Sequence, residues 1–546
     1  MKVRDFIAEY LEKKSLNHVY GVSGANIEDL FFAIGKRNHL TPVLAKTEYQ
    51  AAMMAIGSYL STRKVHAVIT TSGPGVLNTL PVLAEAYSAH LPLVLISGSI
   101  PTKLEGHGGF QDGSGLNGSL PLKEIIRPTT QFFKQVNLAR EIREALDQAF
   151  ESAERYKRPS AIFIPKNIFD EEINPDSLVL EKLAPPMKID EKIVNQIDQY
   201  ISQNSPIIVL TEGLFHLDSP AHLIKILERL KAKVLVTPGA KGFFPANHPN
   251  FVGMLGIMGD DKVNEELEKH ESILIIGGGL DQLSQFGHQD IFLKKNILEI
   301  AWHWSNTYAL SKNHLILRLD LNQWIDKCFH HSEHQAFTSL QPSAEIHDHQ
   351  FSMINIIQTI QNHLEVDTDI FIDAGNSGAF AINRLALSGK SLCYISLAMG
   401  GMGNSLGAAI GACFTTQRRA FVLMGDGSFL MYGLEIHTAI QHQLPLTVII
   451  FNNNSHAMCA TREEVFLGEE STLNKFSASY FGHGLSQMFP SLTSEDIDTL
   501  DHLEKSLKKN KTQKGPAVLS LNIDPSEFPP FKSFKSKRGG PLNVTG

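Results

Sequence analysis

The sequence predicts an α/β protein with three doubly wound parallel-sheet domains. Short apolar runs, such as residues 420–424 and 446–451, have the length of buried parallel strands and end in small or polar residues. Residues 430–443 between these two runs have a helical pattern, which makes a strand–helix–strand unit. The length of 546 residues corresponds to three or four domains at roughly 150 residues each.

Two segments without a strong period separate the three blocks. Residues 171–190 contain several prolines, and residues 331–350 are rich in histidine, serine and glutamine, so both favour linkers. We interpret the histidines of the second linker as solvated, because no apolar framework surrounds them. The predicted domains span residues 1–180, 190–335 and 350–546, the last with a C-terminal tail.

Composition and charge are ordinary for a globular protein and argue against several classes of function. The net charge of −8 argues against a nucleic-acid partner. The four cysteines lack CxxC spacing, which argues against a structural zinc site or a disulfide framework. The amino terminus lacks the apolar core of a signal peptide, and no apolar run reaches 18 residues, so we expect a cytoplasmic protein without a membrane partner.

Polar residues follow two of the predicted strands in the last block. Gly425, Asp426, Gly427 and Ser428 come directly after one strand, and Asn453 follows the next. Because ligands bind outside the carboxyl ends of parallel strands, the two side-chain oxygens are candidate Mg²⁺ ligands. The alternative is a simple tight turn after a strand.

Two motifs in the first block also lie between a strand and a helix. Glu48 opens a small-residue helix, where an acid is often only a favourable partner of the helix dipole. Gly73, Pro74 and Gly75 form a loop that leads to Asn78, and such a loop suits a ligand but also occurs in many α/β proteins.

Two further loops of the last block are candidate ligand loops. Gly375, Asn376 and Ser377 follow a strand, so their amides can face phosphate oxygens. Gly400 and Met402 begin a glycine-rich stretch, in which Met402 could equally fill the core.

These motifs together resemble those of the thiamine diphosphate-dependent enzymes, and nearly the whole chain resembles the acetolactate synthase-like group of the pyruvate oxidase and decarboxylase superfamily. The resemblance implies an N-terminal pyrimidine-binding domain, a central domain and a C-terminal diphosphate-binding domain. It implies that Asp426, Asn453 and the main-chain carbonyl of Ser455 hold Mg²⁺. The segments 375–377 and 425–428 would then bind the cofactor diphosphate.

The resemblance also assigns roles at the pyrimidine end of the cofactor. It implies that Glu48 hydrogen-bonds a ring nitrogen of the aminopyrimidine and favours its imino form. Gly73, Pro74, Gly75 and Asn78 would pack on the pyrimidine. The resemblance places Met402 where a bulky apolar residue supports the bent cofactor, with Gly400 beside it.

The implied reaction is decarboxylation of a 2-oxo acid, with pyruvate expected, followed by carboligation to a second carbonyl compound. The group's substrate loop matches residues 98–111, which end in Phe110 and Gln111. We therefore expect Gln111 and His107 to handle substrate, although His107 could equally be exposed.

The sequence departs from the group's pattern at two places. Residues 279–283 lack both arginines of the element that contacts FAD, so FAD binding is doubtful. Arg462 stands where the group has a specificity tryptophan, and an arginine there suits a carboxylate or phosphate on the acceptor. A surface salt bridge is the alternative role for Arg462.

Two other functions remain open at this point. One is a 2-oxo acid decarboxylase that releases an aldehyde without ligation, and the other is a catalytically inactive nucleotide-binding homologue. The family's active sites lie between two chains, so the resemblance implies a homodimer at least and a homotetramer as the expected assembly. The tail from residue 525 is interpreted as mobile, with a lid over the site as the alternative.

Overall fold

The structure is a computed structural model that describes residues 1–174, 189–302, 304–305, 307, 311–329, 350–469 and 472–534. The histidines predicted to be solvated, from residue 330 to 349, and the part of the predicted tail after residue 534 lie outside the described residues. The described part of that tail, residues 525–534, is packed and not mobile: Phe531 and Phe534 are buried, and the Lys532 amide donates to the Ile257 oxygen at 2.9 Å. The predicted domain limits stay a prediction, because they fall on or beside residues that are not described.

Within the described residues, the strands form three sheets of six strands each. In chain order they are β1 His18–Gly21, β2 Thr41–Leu44, β3 Ala67–Thr70, β4 Val94–Ser99, β5 Phe132–Gln135, β6 Ser160–Pro165, β7 Ile207–Leu210, β8 Val234–Val236, β9 Phe251–Met254, β10 Ser272–Gly277, β11 Asn296–Ala301, β12 His314–Arg318, β13 Asp369–Ile372, β14 Cys393–Ile395, β15 Ala420–Gly425, β16 Leu446–Asn452, β17 Thr493–Ile497 and β18 Ala517–Asn522.

The described α-helices connect and flank these strands. They are α1 Val3–Lys13, α2 Glu28–Gly35, α3 Glu48–Thr62, α4 Pro74–Ser88, α5 Leu122–Ile126, α6 Ile142–Tyr156, α7 Glu191–Asn204, α8 Pro220–Leu230, α9 Val263–Lys269, α10 Gln282–Gln285, α11 Gln289–Phe292, α12 Leu321–Phe329, α13 Met353–Gln361, α14 Asn376–Arg384, α15 Asn404–Thr416, α16 Asp426–Tyr432, α17 Ile436–Gln441, α18 Ala457–Leu467, α19 Phe481–Met488 and α20 Leu500–Thr512.

The strand order confirms the predicted fold class. The first sheet has the order β2-β1-β3-β4-β6-β5, and the third has the order β14-β13-β15-β16-β18-β17, which is the same topology. The central sheet has a different order, β12-β11-β10-β7-β8-β9. The described strand pairs are parallel, as between β1 and β3 and between β16 and β18. In the first and third sheets the strand order therefore reverses at equivalent points, between β1 and β3 and between β13 and β15. Open parallel sheets bind ligands at such points.

One predicted helix differs in its limits. The helix expected at residues 430–443 is two helices, α16 and α17, separated by a short 3₁₀ turn at Gly433–Glu435. The first of them begins at Asp426, four residues before the expected start. Glycine has low helix propensity, so a break at Gly433 is reasonable physically.

The described chain divides into two compact units. The first contains the described residues of Met1–Pro185, Ser396–Ala420 and Met431–Leu446, and the second contains those of Pro186–Ile395, Phe421–Leu430 and Thr447–Gly546. In the described residues we find no helix that combines the length and the apolar character needed to cross a bilayer.

In the first unit, α3 and α15 approach each other backbone to backbone. A methyl group added at Gly57 would overlap the carbonyl oxygen of Ala408, and one added at Gly411 would overlap the carbonyl oxygen of Met54. Glycine permits this close approach because it lacks a Cβ atom. The small-residue pattern of both helices thus fixes the position of α3, the helix that begins at Glu48.

Candidate active site

Glu48 is the first residue of α3 and is only 8 % exposed. The hydroxyl oxygen of Thr47 caps the helix by accepting a hydrogen bond from the Gln50 amide at 3.2 Å. Glu48 is therefore not the capping residue, although the helix dipole favours its charge. Its Oε2 accepts a hydrogen bond from Nδ2 of Asn78 at 2.9 Å, so the structure joins two of the predicted site residues.

The loop before α4 leaves space beside that carboxylate. Gly73 has φ of +63°, a conformation that favours glycine, and Pro74 is the first residue of α4. A Cβ atom at Gly75 would lie 3.3 Å from Glu48 Oε1 and 3.0 Å from Thr71 Cγ2. The glycines of this loop thus keep the backbone close to Glu48 without adding bulk.

Gln111 lies at the carboxyl edge of the first sheet. Its Oε1 accepts hydrogen bonds from the Thr71 hydroxyl at 2.9 Å and from Asn26 Nδ2 at 3.3 Å. Its main-chain oxygen accepts a bond from the Ser72 hydroxyl at 3.0 Å. Asn26 was not among the predicted site residues, although Ser23 and Gly24 after β1 mark a loop of the same kind.

His107 lies on an exposed part of the loop before Gln111. Its main-chain amide bonds the Leu104 oxygen at 3.0 Å. Among the described residues, the hydrogen bonds that hold Gln111 do not involve His107, so its catalytic role stays a prediction.

The first turn of α3 also holds the loop that carries Met402. The Tyr49 hydroxyl donates to the Met402 main-chain oxygen at 3.5 Å and hydrogen-bonds Oδ1 of Asn404. Nε2 of Gln50 donates to the Gly403 oxygen at 2.9 Å. Gly400 has φ of +69° and open space on its Cβ side. The structure therefore places Met402 beside the segment that begins with Glu48.

In the second unit, Asp426 directly follows β15 and is 2 % exposed. Its Oδ1 accepts from the Gly427 amide at 3.0 Å, and its Oδ2 accepts from the Ser455 amide at 3.1 Å. Oδ1 of Asn453 accepts from the same Ser455 amide at 3.1 Å. One main-chain N–H thus holds the carboxylate and the amide oxygen next to each other.

This donor set fits Mg²⁺. Burial raises the pKa of the Asp426 carboxyl to about 6, against the lowering effect of the Gly427 and Ser455 amides. A carboxylate held in an unfavourable buried state is one that a cation stabilises. In the described part of the chain, no group of three or more His, Cys, Asp or Glu side chains could hold a metal. The donors are hard oxygens, which Mg²⁺ prefers over zinc-type ligands.

The start of α14 fits a diphosphate group. Gly375 has φ of +134° with open space on its Cβ side, and no side chain caps the helix. The first amides of α14 are therefore available to an anion. Asn376 donates through Nδ2 to the Thr461 hydroxyl at 2.9 Å, while its buried Oδ1 has no partner in the described structure. Asn376, Ser377 and Asn453 line one small pocket.

The remaining predicted site residues of the second unit lie around Asp426. Ser428 is buried in the first turn of α16, and the Ser377 hydroxyl lies 3.8 Å from a Cβ atom added at Gly425. A Cβ atom at Gly427 would lie 2.6 Å from Nδ1 of His456, which explains the second glycine of the motif.

Arg462 is exposed on α18. Its guanidinium lies 5.3 Å from the centre of the Phe466 ring, one turn further along the same helix. The cation is thus held by its own helix through a cation–π contact.

Two acidic side chains lie in or near residues 279–283, the segment that lacks the arginines expected to contact FAD. Asp281 accepts a hydrogen bond from the Ser284 amide at 2.8 Å and caps α10. The nearby Glu212 is half-buried, and the pKa of its carboxyl is raised to about 7 by desolvation and then by the charge of Asp281. Two acids at this edge of the central sheet do not favour a dinucleotide diphosphate.

The three α/β sheets, the buried Glu48 at the start of α3 and the Asp426–Asn453 pair fit an enzyme with a diphosphate-containing cofactor. Three family models match the chain: the thiamine pyrophosphate enzyme N-terminal TPP binding domain over residues 1–116, the central domain over 194–319, and the C-terminal TPP binding domain over 373–521. The chain belongs to the thiamine pyrophosphate-dependent enzymes, in the superfamily of acetolactate synthases and decarboxylases.

Curated relatives cover almost the full chain. The acetolactate synthase isozyme 1 large subunit of Escherichia coli K12 is 24% identical, covering 96% of this chain and 94% of the relative. A probable acetolactate synthase large subunit of Methanocaldococcus jannaschii is 24% identical, with 97% and 93% covered.

A solved structure has a similar fold. The thiamine diphosphate-dependent 4-hydroxybenzoylformate decarboxylase of Rhodococcus jostii RHA1 has a TM-score of 0.81 at 17% identity, covering 96% of this chain and 99% of that one. At this identity the likeness shows the fold alone.

Proposed function

We propose that this enzyme uses thiamine diphosphate and Mg²⁺ to decarboxylate a 2-oxo acid, with pyruvate as the expected donor, and to join the product to a second carbonyl compound. The observation that supports it most is the pairing of Asp426 and Asn453 oxygens on the Ser455 amide. That pairing supplies a metal site beside the uncapped start of α14.

In this proposal the residues around Asp426 and those around Glu48 have different tasks. Asp426, Asn453 and the Ser455 carbonyl would hold Mg²⁺, while Gly375, Ser377 and Gly425 would allow the diphosphate to approach. When bound, thiamine diphosphate supplies the nucleophilic carbon and the electron sink that a 2-oxo acid needs to lose carbon dioxide.

Glu48 would hold a proton at the pyrimidine. Asn78 fixes the orientation of the carboxylate through Oε2, and Gly75 leaves space beside Oε1, so Oε1 is the oxygen that would exchange a proton with the cofactor ring. The first turn of α3 also holds the Met402 loop, which supports the role proposed for Met402 as a prop for the cofactor.

Gln111 would present hydrogen-bond donors to the substrate. Thr71 and Asn26 both donate to its Oε1, so the NH₂ group is the end of the amide that remains for a substrate oxygen. Such a donor would stabilise negative charge on the oxygen of a 2-oxo acid or acceptor.

We propose further that the acceptor carries a negative charge and that the enzyme works without FAD. The exposed guanidinium of Arg462 supports the first statement, and the acidic pair Glu212 and Asp281 supports the second. We also propose a cytoplasmic enzyme that is at least a homodimer and forms a homotetramer, which light scattering with and without cofactor would test.

Product analysis tests the central proposal. The purified protein is incubated with pyruvate, thiamine diphosphate and Mg²⁺, with Glu48→Gln and Asp426→Asn as controls. Acetolactate or a mixed ketol is the expected product, and both variants should lose it. Acetaldehyde as the sole product would assign a non-ligating decarboxylase instead. No carbon dioxide release from any of a panel of 2-oxo acids would contradict the proposal.

A further inference from the structure

We infer that Glu435 is a positioning residue whose buried carboxylate holds the backbone before α3 and thereby sets the position of Glu48. The inference rests on the proposed function, because it gives Glu435 its effect through the role of Glu48. Neither the metal motif nor the cofactor loops include Glu435.

The contacts of Glu435 converge on one strand end. The side chain is 1 % exposed, and its Oε1 and Oε2 lie 3.1 and 3.0 Å from the main-chain nitrogen of Lys46. The Thr438 hydroxyl donates to Oε1 at 2.6 Å. The main-chain amide of Thr47 also contributes to the electrostatic environment of this carboxyl. A single carboxylate thus accepts from the two residues immediately before Glu48.

The hydrogen bonds of Glu435 go to residues 46 and 47, which lie before α3 and are outside its own hydrogen-bond pattern. The N–H groups of Lys46 and Thr47 precede the helix, so they have no partner within it. The Thr47 hydroxyl already caps the helix by bonding the Gln50 amide. Glu435 is therefore not needed as a helix cap, and its contacts act on the approach to Glu48.

The rest of α3 is already fixed. The close contacts of Gly57 with Ala408 and of Gly411 with Met54 hold the body of the helix. The side chains of Tyr49 and Gln50 also tie the first turn to the loop at Gly403 and Asn404. The freedom that remains is in residues 46 and 47 before the helix, where a small rotation of the backbone would move the Glu48 carboxylate. Since misplacement of a catalytic group by about 1 Å can reduce a rate roughly a hundredfold, an anchor at this point has a functional consequence.

The strength of this anchor depends on the charge of Glu435. In the ionised form the carboxylate accepts through bonds that are shorter and stronger than those of a neutral acceptor. The Lys46 ammonium favours that form, whereas burial and Lys46 lower the pKa of His442, so this imidazole adds no charge near neutral pH. Burial raises the pKa of Glu435 to about 7, so the anchor changes charge near neutral pH.

Hydrogen–deuterium exchange of the cofactor-free protein tests the contact directly. Glu435→Gln keeps the shape of the side chain but replaces one acceptor oxygen with a donor. Glu435→Asp keeps the carboxylate, but its shorter side chain moves the charge away from the Lys46 amide. We expect exchange in peptides that cover residues 44–51 to become roughly tenfold faster in Glu435→Gln and to rise less in Glu435→Asp.

Glu85→Gln is the matched control. Glu85 is 2 % exposed, and it also accepts from two main-chain amides, those of Ala398 at 3.3 Å and Met399 at 2.6 Å. Its substitution should change exchange around residue 399 and leave residues 44–51 unchanged.

A double-mutant cycle with Glu48→Gln tests whether Glu435 acts through Glu48. The dissociation constant of thiamine diphosphate is measured by intrinsic fluorescence in all four proteins, and turnover is measured only where Glu48 is intact. Glu435→Gln should lower turnover and weaken cofactor binding by roughly tenfold each when Glu48 is intact, and should weaken binding by less than about twofold when Glu48 is already Gln. Equal effects in both backgrounds would show a merely structural role and overturn the inference, as would unchanged exchange in both Glu435 variants.

The experiment separates this inference from the proposed function. A wild-type protein that binds the cofactor but turns over no 2-oxo acid would refute the proposed reaction. Faster exchange and non-additive cofactor binding would still support Glu435 as the anchor of Glu48 in that case.

Discussion

Replacing Asp426 by Asn should have opposite effects on the stability of the cofactor-free protein and on cofactor binding. Asparagine has nearly the same shape, so the packing around the site is retained, while the buried charge is removed. Burial raises the pKa of Asp426 from 3.8 to about 6. A shift of that size corresponds to about 3 kcal/mol between the charged and neutral forms.

At pH 7.5 Asp426 is ionised, so this free-energy difference between the charged and neutral forms sets the expected result. Without metal, the variant should be more stable than wild type by up to about 3 kcal/mol, because it no longer holds an uncompensated buried charge. With Mg²⁺ and thiamine diphosphate the order should reverse, because only the wild type gains stability from binding.

Urea unfolding followed by circular dichroism measures both quantities. Asn453→Asp serves as the matched control, since it adds a second carboxylate at the same amide and should lower the stability of the cofactor-free protein. An Asp426→Asn protein that is clearly less stable than wild type without cofactor would refute the reasoning. It would mean that the carboxylate stabilises the fold through its hydrogen bonds with the Gly427 and Ser455 amides.

Three further predictions concern other parts of the molecule. The pKa of Glu435 is raised from 4.5 to about 7 by burial, so the stability it contributes should be full below pH 4.5 and be lost as pH rises to 7. Urea midpoints between pH 5 and 8 should therefore fall more steeply in wild type than in Glu435→Gln, which keeps the contributions of Asp426 and Glu212 to the slope. Thr47→Ala removes the cap of α3 and should cost about 1 kcal/mol in the same assay, whereas no loss would show that the cap hydrogen bond is weak. Arg462→Ala should reduce carboligation to an anionic acceptor by about tenfold, while carbon dioxide release from pyruvate is retained. Unchanged use of that acceptor would argue against the role proposed for Arg462.

Much of the fold could be predicted because its signals are local. Strands buried on both faces appear as continuous apolar runs, and each parallel strand must be followed by a crossover connection. The family assignment was predictable for a similar reason, since Asp426 and Asn453 each occupy a characteristic position at the end of a strand. The exact limits of α16 and α17 were less predictable, because a helix boundary depends on contacts that the sequence pattern does not show.

The three parallel sheets, the candidate metal ligands Asp426 and Asn453, and the acid at the start of α3 were predictable from the amino-acid sequence. The contacts of Asn78 with Glu48, of Asn26 with the oxygen of Gln111, and of Glu435 with the amide of Lys46 became visible only in the folded chain. These partners are 30, 85 and 389 positions apart in the chain. Apolar periodicity reflects which face of an element is buried, whereas a hydrogen bond between distant side chains depends on where two separate backbones come together. For that reason the chemistry of each residue could be anticipated from the chain, but the orientation of each functional group required the fold.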